Sequence, residues 1–183
     1  RSEKTVYELS TSGVPGYDTP MDRAARLAAA DPLLSFVDAR LSADPEQADV
    51  VHDLLAHLAE RMIEMHKEKQ ARVEAFWLDL EGVTDAETFE VLRNKGKWAS
   101  TLAKSAACRS YVDPESRSTR HLDESLGWSE EAFKAFVKAL AGSVQGLSGL
   151  VGAYRAHAPA YGDLAARIAA TDWLIDQVVY RLY

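Results

Sequence analysis

Cysteine is almost missing from this sequence, since Cys108 is the single one in 183 residues. One thiol excludes an intramolecular disulfide and any zinc site built from several cysteines. Proline and glycine are also scarce, with 6 and 10 residues, which argues against β-sandwiches, barrels and low-complexity chains. No apolar run approaches the roughly 20 residues of a membrane span, and residues 1–20 show no signal peptide. These absences predict a cytoplasmic protein with no membrane partner.

Catalytic and metal-binding patterns are missing as well. The five histidines include no pair at the i, i+4 spacing of a helical zinc site. No Lys-Ser or Lys-Thr follows the glycine-rich stretch 142–152, so that stretch indicates close helix packing or a hinge and not a phosphate loop. The carboxylates Glu130 and Glu131 suit the first turn of a helix, where the helix dipole favours them. The sequence therefore predicts no catalytic residue, no metal site and no cofactor bound by this chain.

Residues with high helix propensity dominate the composition of the sequence. Alanine, which has the highest helix propensity, supplies 29 residues. Three helix starts have proline in the first helical position after a capping residue: Thr19-Pro20, Asp31-Pro32 and Asp44-Pro45. We therefore predict an all-α protein, an antiparallel long helical hairpin or bundle with a small helical cap and short N-terminal helices.

The predicted organisation has three parts. Residues 1–18 form an irregular lead-in with a short strand at 5–9, and residues 19–44 form two short helices. Residues 45–183 form the hairpin, with a basic insertion at 93–127. Because the chain lacks an initiator Met and breaks off inside an amphipathic helix, we expect it to be a piece of a longer protein.

Two predicted helices, at about 45–80 and about 160–183, each carry an apolar seam with alternating spacings of three and four. Pro159 is predicted to end the helix that precedes the second seam. Seam side chains that bury against each other would contribute roughly 1.5–3 kcal/mol each. The seam residues proposed as core or interface are Leu55, Leu58, Met62 and Met65 in the first helix and Ile168, Ile175, Val178 and Leu182 in the second.

The segment from Arg93 to His121, the basic segment below, reverses the acidic balance of the chain. The whole chain carries −7, whereas this segment has seven cations and two anions, a net charge of +5. Trp98 and Tyr111 are interleaved, and such a mixture suits phosphates by charge and bases by stacking. The alternative is a solvated surface or one docked on the protein's own acidic helices. The candidate nucleic-acid-binding residues are Arg93, Lys95, Lys97, Lys104, Arg109, Arg117 and Arg120.

Two stretches of the sequence resemble a known family. The first is VVHDLLAHLAERMIEMHKEKQ at 50–70, followed by FWLDLE at 76–81, and the second is IAATDWLIDQVVYRLY at 168–183. Together they resemble the C-terminal helical region of large bacterial restriction–modification proteins, the type IIG-like fusions of an adenine-specific DNA methyltransferase with an endonuclease. The resemblance covers the two ends of the predicted hairpin, while residues 98–127 depart from the family pattern.

The resemblance implies a helical accessory domain that supports target recognition and weakly contacts the phosphate backbone of duplex DNA. The family resemblance implies that another part of the parent protein binds S-adenosylmethionine. The Asn-Pro-Pro-aromatic motif that holds a flipped adenine would also lie elsewhere in the parent, because neither that motif nor a nuclease core occurs in this sequence. The expected partners are duplex DNA and the other domains of the parent enzyme. The alternative is a protein–protein interaction or self-association coiled-coil module, such as a homodimer joined by the seams, with no nucleic-acid contact.

Overall fold

The computed structural model describes residues 20–93, 105–108, 122–142 and 146–183. These residues are helical and contain no strand, so the predicted all-α class is confirmed. The strand predicted at 5–9 and most of a helix predicted near 97–108 lie outside the described residues. The described elements are α1 (Pro20–Leu41), α2 (Ala48–Val83), α3 (Ala86–Arg93), a 3₁₀ helix (Leu122–Gly127), α4 (Glu130–Ala141) and α5 (Leu147–Leu182).

Helix α1 corrects the prediction of two short N-terminal helices, because it runs unbroken for 22 residues with Pro32 inside it. A proline within a helix removes one backbone hydrogen bond and costs about 3 kcal/mol. Leu34 and Val37 are buried, and the apolar stripe that they form continues on both sides of Pro32 to Ala30 and Leu41. Burial of such side chains at roughly 1.5–3 kcal/mol each outweighs the cost of the proline.

Helix α5 corrects a second boundary. Pro159 was predicted to end a helix, but α5 begins at Leu147 and passes through Pro159 to Leu182. The break lies earlier, where Gly142 and Gly146 have φ of 71° and 101°, a backbone conformation that residues with a Cβ rarely adopt. Tyr154 and Tyr161 are buried on either side of Pro159, so continuing the helix through the proline keeps both in the core.

The chain divides into two compact units. Unit 1 comprises Arg1–Arg61 and Ala170–Tyr183, and unit 2 comprises Met62–Ala169. The described core of unit 1 is aliphatic and joins side chains of α1, the first half of α2 and the end of α5. Its buried members are Leu34, Val37, Val51 and Val178.

The core of unit 2 is larger and mostly aromatic. It joins the second half of α2, α3, α4 and the first half of α5, and its rings come from Phe76, Phe89, Trp128, Phe133, Phe136, Tyr154 and Tyr161. Helices α3 and α4 pack on each other and supply the predicted cap.

Helices α2 and α5 are antiparallel within unit 2. Residues progressively earlier in α2 contact residues progressively later in α5. An added Cβ at Gly149 would lie 3.5 Å from the Cβ of Val83. Asp79 Oδ2 lies 2.6 Å from His157 Nε2, and Lys69 Nζ lies 5.8 Å from the ring centroid of Tyr161. This order is that of the predicted hairpin.

Candidate functional site

The basic segment begins at the last residue of α3, directly after buried side chains of unit 2. Phe89 and Leu92 are buried in the aromatic core, and Arg93 follows as the exposed last residue of the helix. The Arg93 guanidinium lies 5.8 Å from the centroid of the Phe89 ring, within reach of a cation–π contact. The other candidate cations, Lys95, Lys97, Lys104, Arg109, Arg117 and Arg120, lie outside the described residues.

A second anchor lies in the middle of the basic segment. Cys108 is fully buried among the unit 2 core residues, and its Sγ donates to the carbonyl oxygen of Ala132 at 3.4 Å. The Cys108 N–H donates to the carbonyl of Ser105 at 3.2 Å and closes a turn. Burial raises the pKa of the Cys108 thiol, which disfavours the thiolate needed for nucleophilic chemistry. Cys108 therefore serves here as an apolar anchor.

The segment rejoins the core through the 3₁₀ helix. Leu126 and Trp128 are buried, and the Trp128 carbonyl accepts a hydrogen bond from the Tyr154 hydroxyl of α5. The Trp128 ring meets Phe136 edge-on, with centroids 5.4 Å apart. Ser129 then caps α4, because its Oγ accepts a hydrogen bond from the Ala132 N–H at 3.1 Å. The residues that flank the basic segment, and Cys108 within it, are thus held by one core.

A charged network stands at the start of α4. Glu130 accepts hydrogen bonds from Arg155 Nε at 2.8 Å and Nη2 at 2.7 Å, and a further one from Lys134. The bonds from Arg155, and then the one from Lys134, lower the pKa of Glu130 from 4.5 to about 2. The carboxylate offsets one of the two positive charges, and its contacts hold both cations at the start of α4. The sequence placed Glu130 in a first helical turn correctly but gave no signal for Arg155, which is 25 residues away.

A second polar contact joins α2 to α5. His157 Nε2 lies 2.6 Å from Asp79 Oδ2, and the His157 ring lies 5.8 Å from that of Phe76. The two residues are 78 positions apart, so spacing could not reveal the pair. The pair is a contact between the polar faces of two helices. Among the described residues, no three His, Cys, Asp or Glu side chains could share a metal ion.

The seam residues occupy a range of environments. Met65 and Val178 are buried, and Leu55 and Leu182 pack against the unit 1 core. The half-buried members are Leu58, Met62, Ile168 and Ile175. Their use as an interface with another protein stays a prediction.

Comparisons with known proteins add no identification: no protein-family profile, no curated protein and no solved structure matches this chain. Within the described ranges, no helix has the length and apolar character needed to cross a membrane.

Proposed function

We propose that this chain is a helical accessory domain of a DNA adenine N6-methyltransferase of the restriction–modification type, and that the basic segment contacts the DNA backbone. The observation that carries the proposal is that a segment of charge +5 lies in sequence between Leu92 and Leu126 and contains Cys108, and that all three residues are buried in the aromatic core. Anchors at both ends and in the middle limit the conformational entropy that the segment loses when it meets a ligand. S-adenosylmethionine and the reacting base would be held by other parts of the parent enzyme.

The charge distribution favours contacts with phosphate over base reading. Arg93 is exposed at the start of the segment, and the nearby cations Lys134 and Arg155 are already paired with Glu130. One carboxylate offsets one of these two charges, whereas the basic segment carries a net charge of +5. Lysine and arginine contacts to phosphate give affinity without sequence selectivity and make binding strongly salt-dependent. The supporting role of the domain in target recognition follows from the family resemblance of residues 50–70 and 168–183.

The test is binding of a labelled DNA duplex, followed by fluorescence anisotropy across a salt series. We expect weak binding, with a Kd on the order of 10⁻⁴–10⁻⁶ M at physiological salt. Removing two phosphate contacts with Lys95→Ala and Lys97→Ala lowers the slope of log K against log salt by about 2, and adding Lys104→Ala lowers it further.

The matched control removes the same charge elsewhere in unit 2. Lys67 and Lys138 are exposed on α2 and α4, so the Lys67→Ala, Lys138→Ala variant leaves the basic segment intact. We expect its salt slope to equal that of the unchanged chain. Absence of duplex binding at low salt, or an equal loss in both double variants, would show that the basic segment is not a DNA contact.

The alternative module, in which the seams bind a partner or a second copy, predicts another result. Val178 of the second seam is buried in the unit 1 core, and Leu55 and Leu182 pack against that core, so these seam residues already have partners within the chain. If the seams also form a homodimer, light scattering will show concentration-dependent mass that Leu58→Asp or Ile175→Asp abolishes.

A further inference from the structure

The outer face of α5 in unit 1 carries acidic and aromatic side chains that belong to neither of the two described cores. At 100° per residue, five residues fall within an arc of about 100°. The opposite side of the helix supplies Val178, Leu174 and Leu182 to the unit 1 core. The five residues, called the acid–aromatic face below, are Asp172, Asp176, Val179, Tyr180 and Tyr183.

Two apolar members of this face within α5 are open to solvent. Tyr180 is 65% exposed and Val179 37%. Asp176 precedes Tyr180 by one helical turn, so the carboxylate and the ring are neighbours on the surface. Tyrosine side chains bury a large area at low entropic cost and are enriched where binding energy is concentrated.

The two carboxylates of the face have no cation to neutralise them among the described residues. Asp172 and Asp176 are one turn apart, and burial followed by the charge of Asp172 raises the pKa of Asp176. Arg181, five positions after Asp176, is engaged elsewhere: its Nε lies 3.1 Å from Asp38 Oδ1 and its Nη1 donates to the Gln177 carbonyl at 3.0 Å.

The surroundings strengthen the negative potential. In unit 1, the residues with described side chains, 30–61 and 170–183, include nine Asp or Glu and three Arg, a net charge of −6. A nucleic acid would be repelled by this surface. A second copy presenting the same face would set Asp172 and Asp176 against a like-charged surface.

We propose that the acid–aromatic face docks a lysine- or arginine-rich amphipathic helix of a partner protein. Lysine or arginine side chains of the partner pair with Asp172 and Asp176 and lie over the Tyr180 ring, while its apolar residues cover Val179. Cation–π contacts and ion pairs then act on the same side chain of the partner, and the apolar contact fixes its register. This contact is separate from the DNA contact proposed for the basic segment.

The experiment uses two labelled synthetic helices, one of lysine and leucine and one in which glutamate replaces each lysine. Fluorescence anisotropy at low salt is expected to show binding of the lysine helix to the full chain and none of the glutamate helix. The double variant Asp172→Asn, Asp176→Asn is expected to weaken binding about tenfold, and Tyr180→Ala to weaken it by a similar factor. In two-dimensional NMR, the Trp173 indole signal, one turn from Asp176, should shift on titration.

The control is a second acidic pair in the same unit. Asp49 and Asp53 are exposed on α2 at the same i, i+4 spacing, so Asp49→Asn, Asp53→Asn removes equal charge at another place. Its affinity should match that of the unchanged chain, as should the duplex binding of the Asp172→Asn, Asp176→Asn variant. The proposal is overturned if the lysine helix does not bind, if both acidic pairs matter equally, or if Tyr180→Ala has no effect. A concentration-dependent dimer that Tyr180→Ala abolishes would also overturn it, since a second copy would then cover the face.

Discussion

The two units of this chain are built from the same two long helices but have different interiors. In unit 2, rings meet in defined geometries: Phe133 and Tyr154 stack with centroids 4.7 Å apart, and Phe76 meets Phe133 edge-on at 5.9 Å. In unit 1, the described core consists of aliphatic side chains, among them Val51 and Val178. Aromatic pairs add about 0.5–1.5 kcal/mol each beyond the area that they bury.

The two cores are suited to different roles. The aromatic core holds the anchors of the basic segment, and directional ring contacts keep those anchors in place. The aliphatic core of unit 1 is smaller among the described residues and supports a surface with a high density of negative charge. Repulsion between like charges lowers the stability of a compact state. Unit 1 is therefore expected to open more readily than unit 2, which would favour adaptation to a partner.

The largest expected effect comes from Phe133→Ala in unit 2. Phe133 is fully buried and contacts three other rings, so its removal should cost about 3–5 kcal/mol. Val178→Ala, the matched truncation of a fully buried residue in unit 1, removes two methyl groups and should cost about 2 kcal/mol. Urea denaturation followed by circular dichroism measures both. Equal losses in the free energy of unfolding would show that the two cores contribute equally to stability and would contradict the difference between them described above.

A smaller effect is expected where α5 begins, close to the end of α2. Gly146 has φ of 101°, so Gly146→Ala should cost about 1–2 kcal/mol from backbone strain alone. An added methyl would lie 3.6 Å from the Val83 carbonyl oxygen, which is ordinary contact, so crowding adds little.

Gly152→Ala is the control for this position. Gly152 lies within α5 with no atom within 4 Å of an added Cβ, and the change should stabilise the chain by about 0.5–1 kcal/mol. Thermal unfolding of the two variants gives the signs directly. A stabilising Gly146→Ala would mean that the turn at the start of α5 does not require a left-handed residue.

The all-α class and the pairing of the long helices could be predicted from the sequence because apolar spacing reports directly on the buried face of a helix. The helix start predicted at Asp44-Pro45 was wrong, since α2 begins at Ala48. Pro32 was predicted to begin a helix and Pro159 to end one, yet each lies inside a helix whose buried stripe continues on both sides. Local proline geometry competes with tertiary burial, and only the packed structure shows that burial prevails.

The candidate site was predictable in part. Composition revealed the charge of the basic segment, but nothing in it showed that Cys108 would be buried as an anchor between the two halves. The contacts of Glu130 with Arg155 and of Asp79 with His157 join distant positions, and no spacing rule predicts them. The acid–aromatic face was readable in principle, since Asp172, Asp176 and Tyr180 recur every fourth residue. Its exposure depends on which side of α5 meets the unit 1 core.

The smallest expected effect is the change in stability on acidification, which should have opposite signs at Glu130 in unit 2 and at Asp176 in unit 1. The pKa of Glu130 in unit 2 is lowered to about 2 by Arg155 and Lys134, so its contribution to stability is present above pH 4.5 and is lost as the pH falls from about 4.5 through about 2. The pKa of Asp176 in unit 1 is raised by burial and by Asp172, so protonation relieves an unfavourable charge and acidification stabilises that site.

Two variants isolate these opposite contributions. Glu130→Gln should lower the urea midpoint at pH 7 and remove part of its fall in acid, whereas Asp176→Asn should raise the midpoint at pH 7 and remove the gain in acid. The NMR indole signals of Trp128 in unit 2 and Trp173 in unit 1 follow each unit during urea titrations from pH 2 to 7. Because Asp176 is exposed and Glu130 is partly exposed, the shifts should be smaller than those of the core and glycine variants. The same sign of pH dependence for both sites would contradict the assignment, since a paired carboxylate and a repelled one must respond to protons in opposite directions.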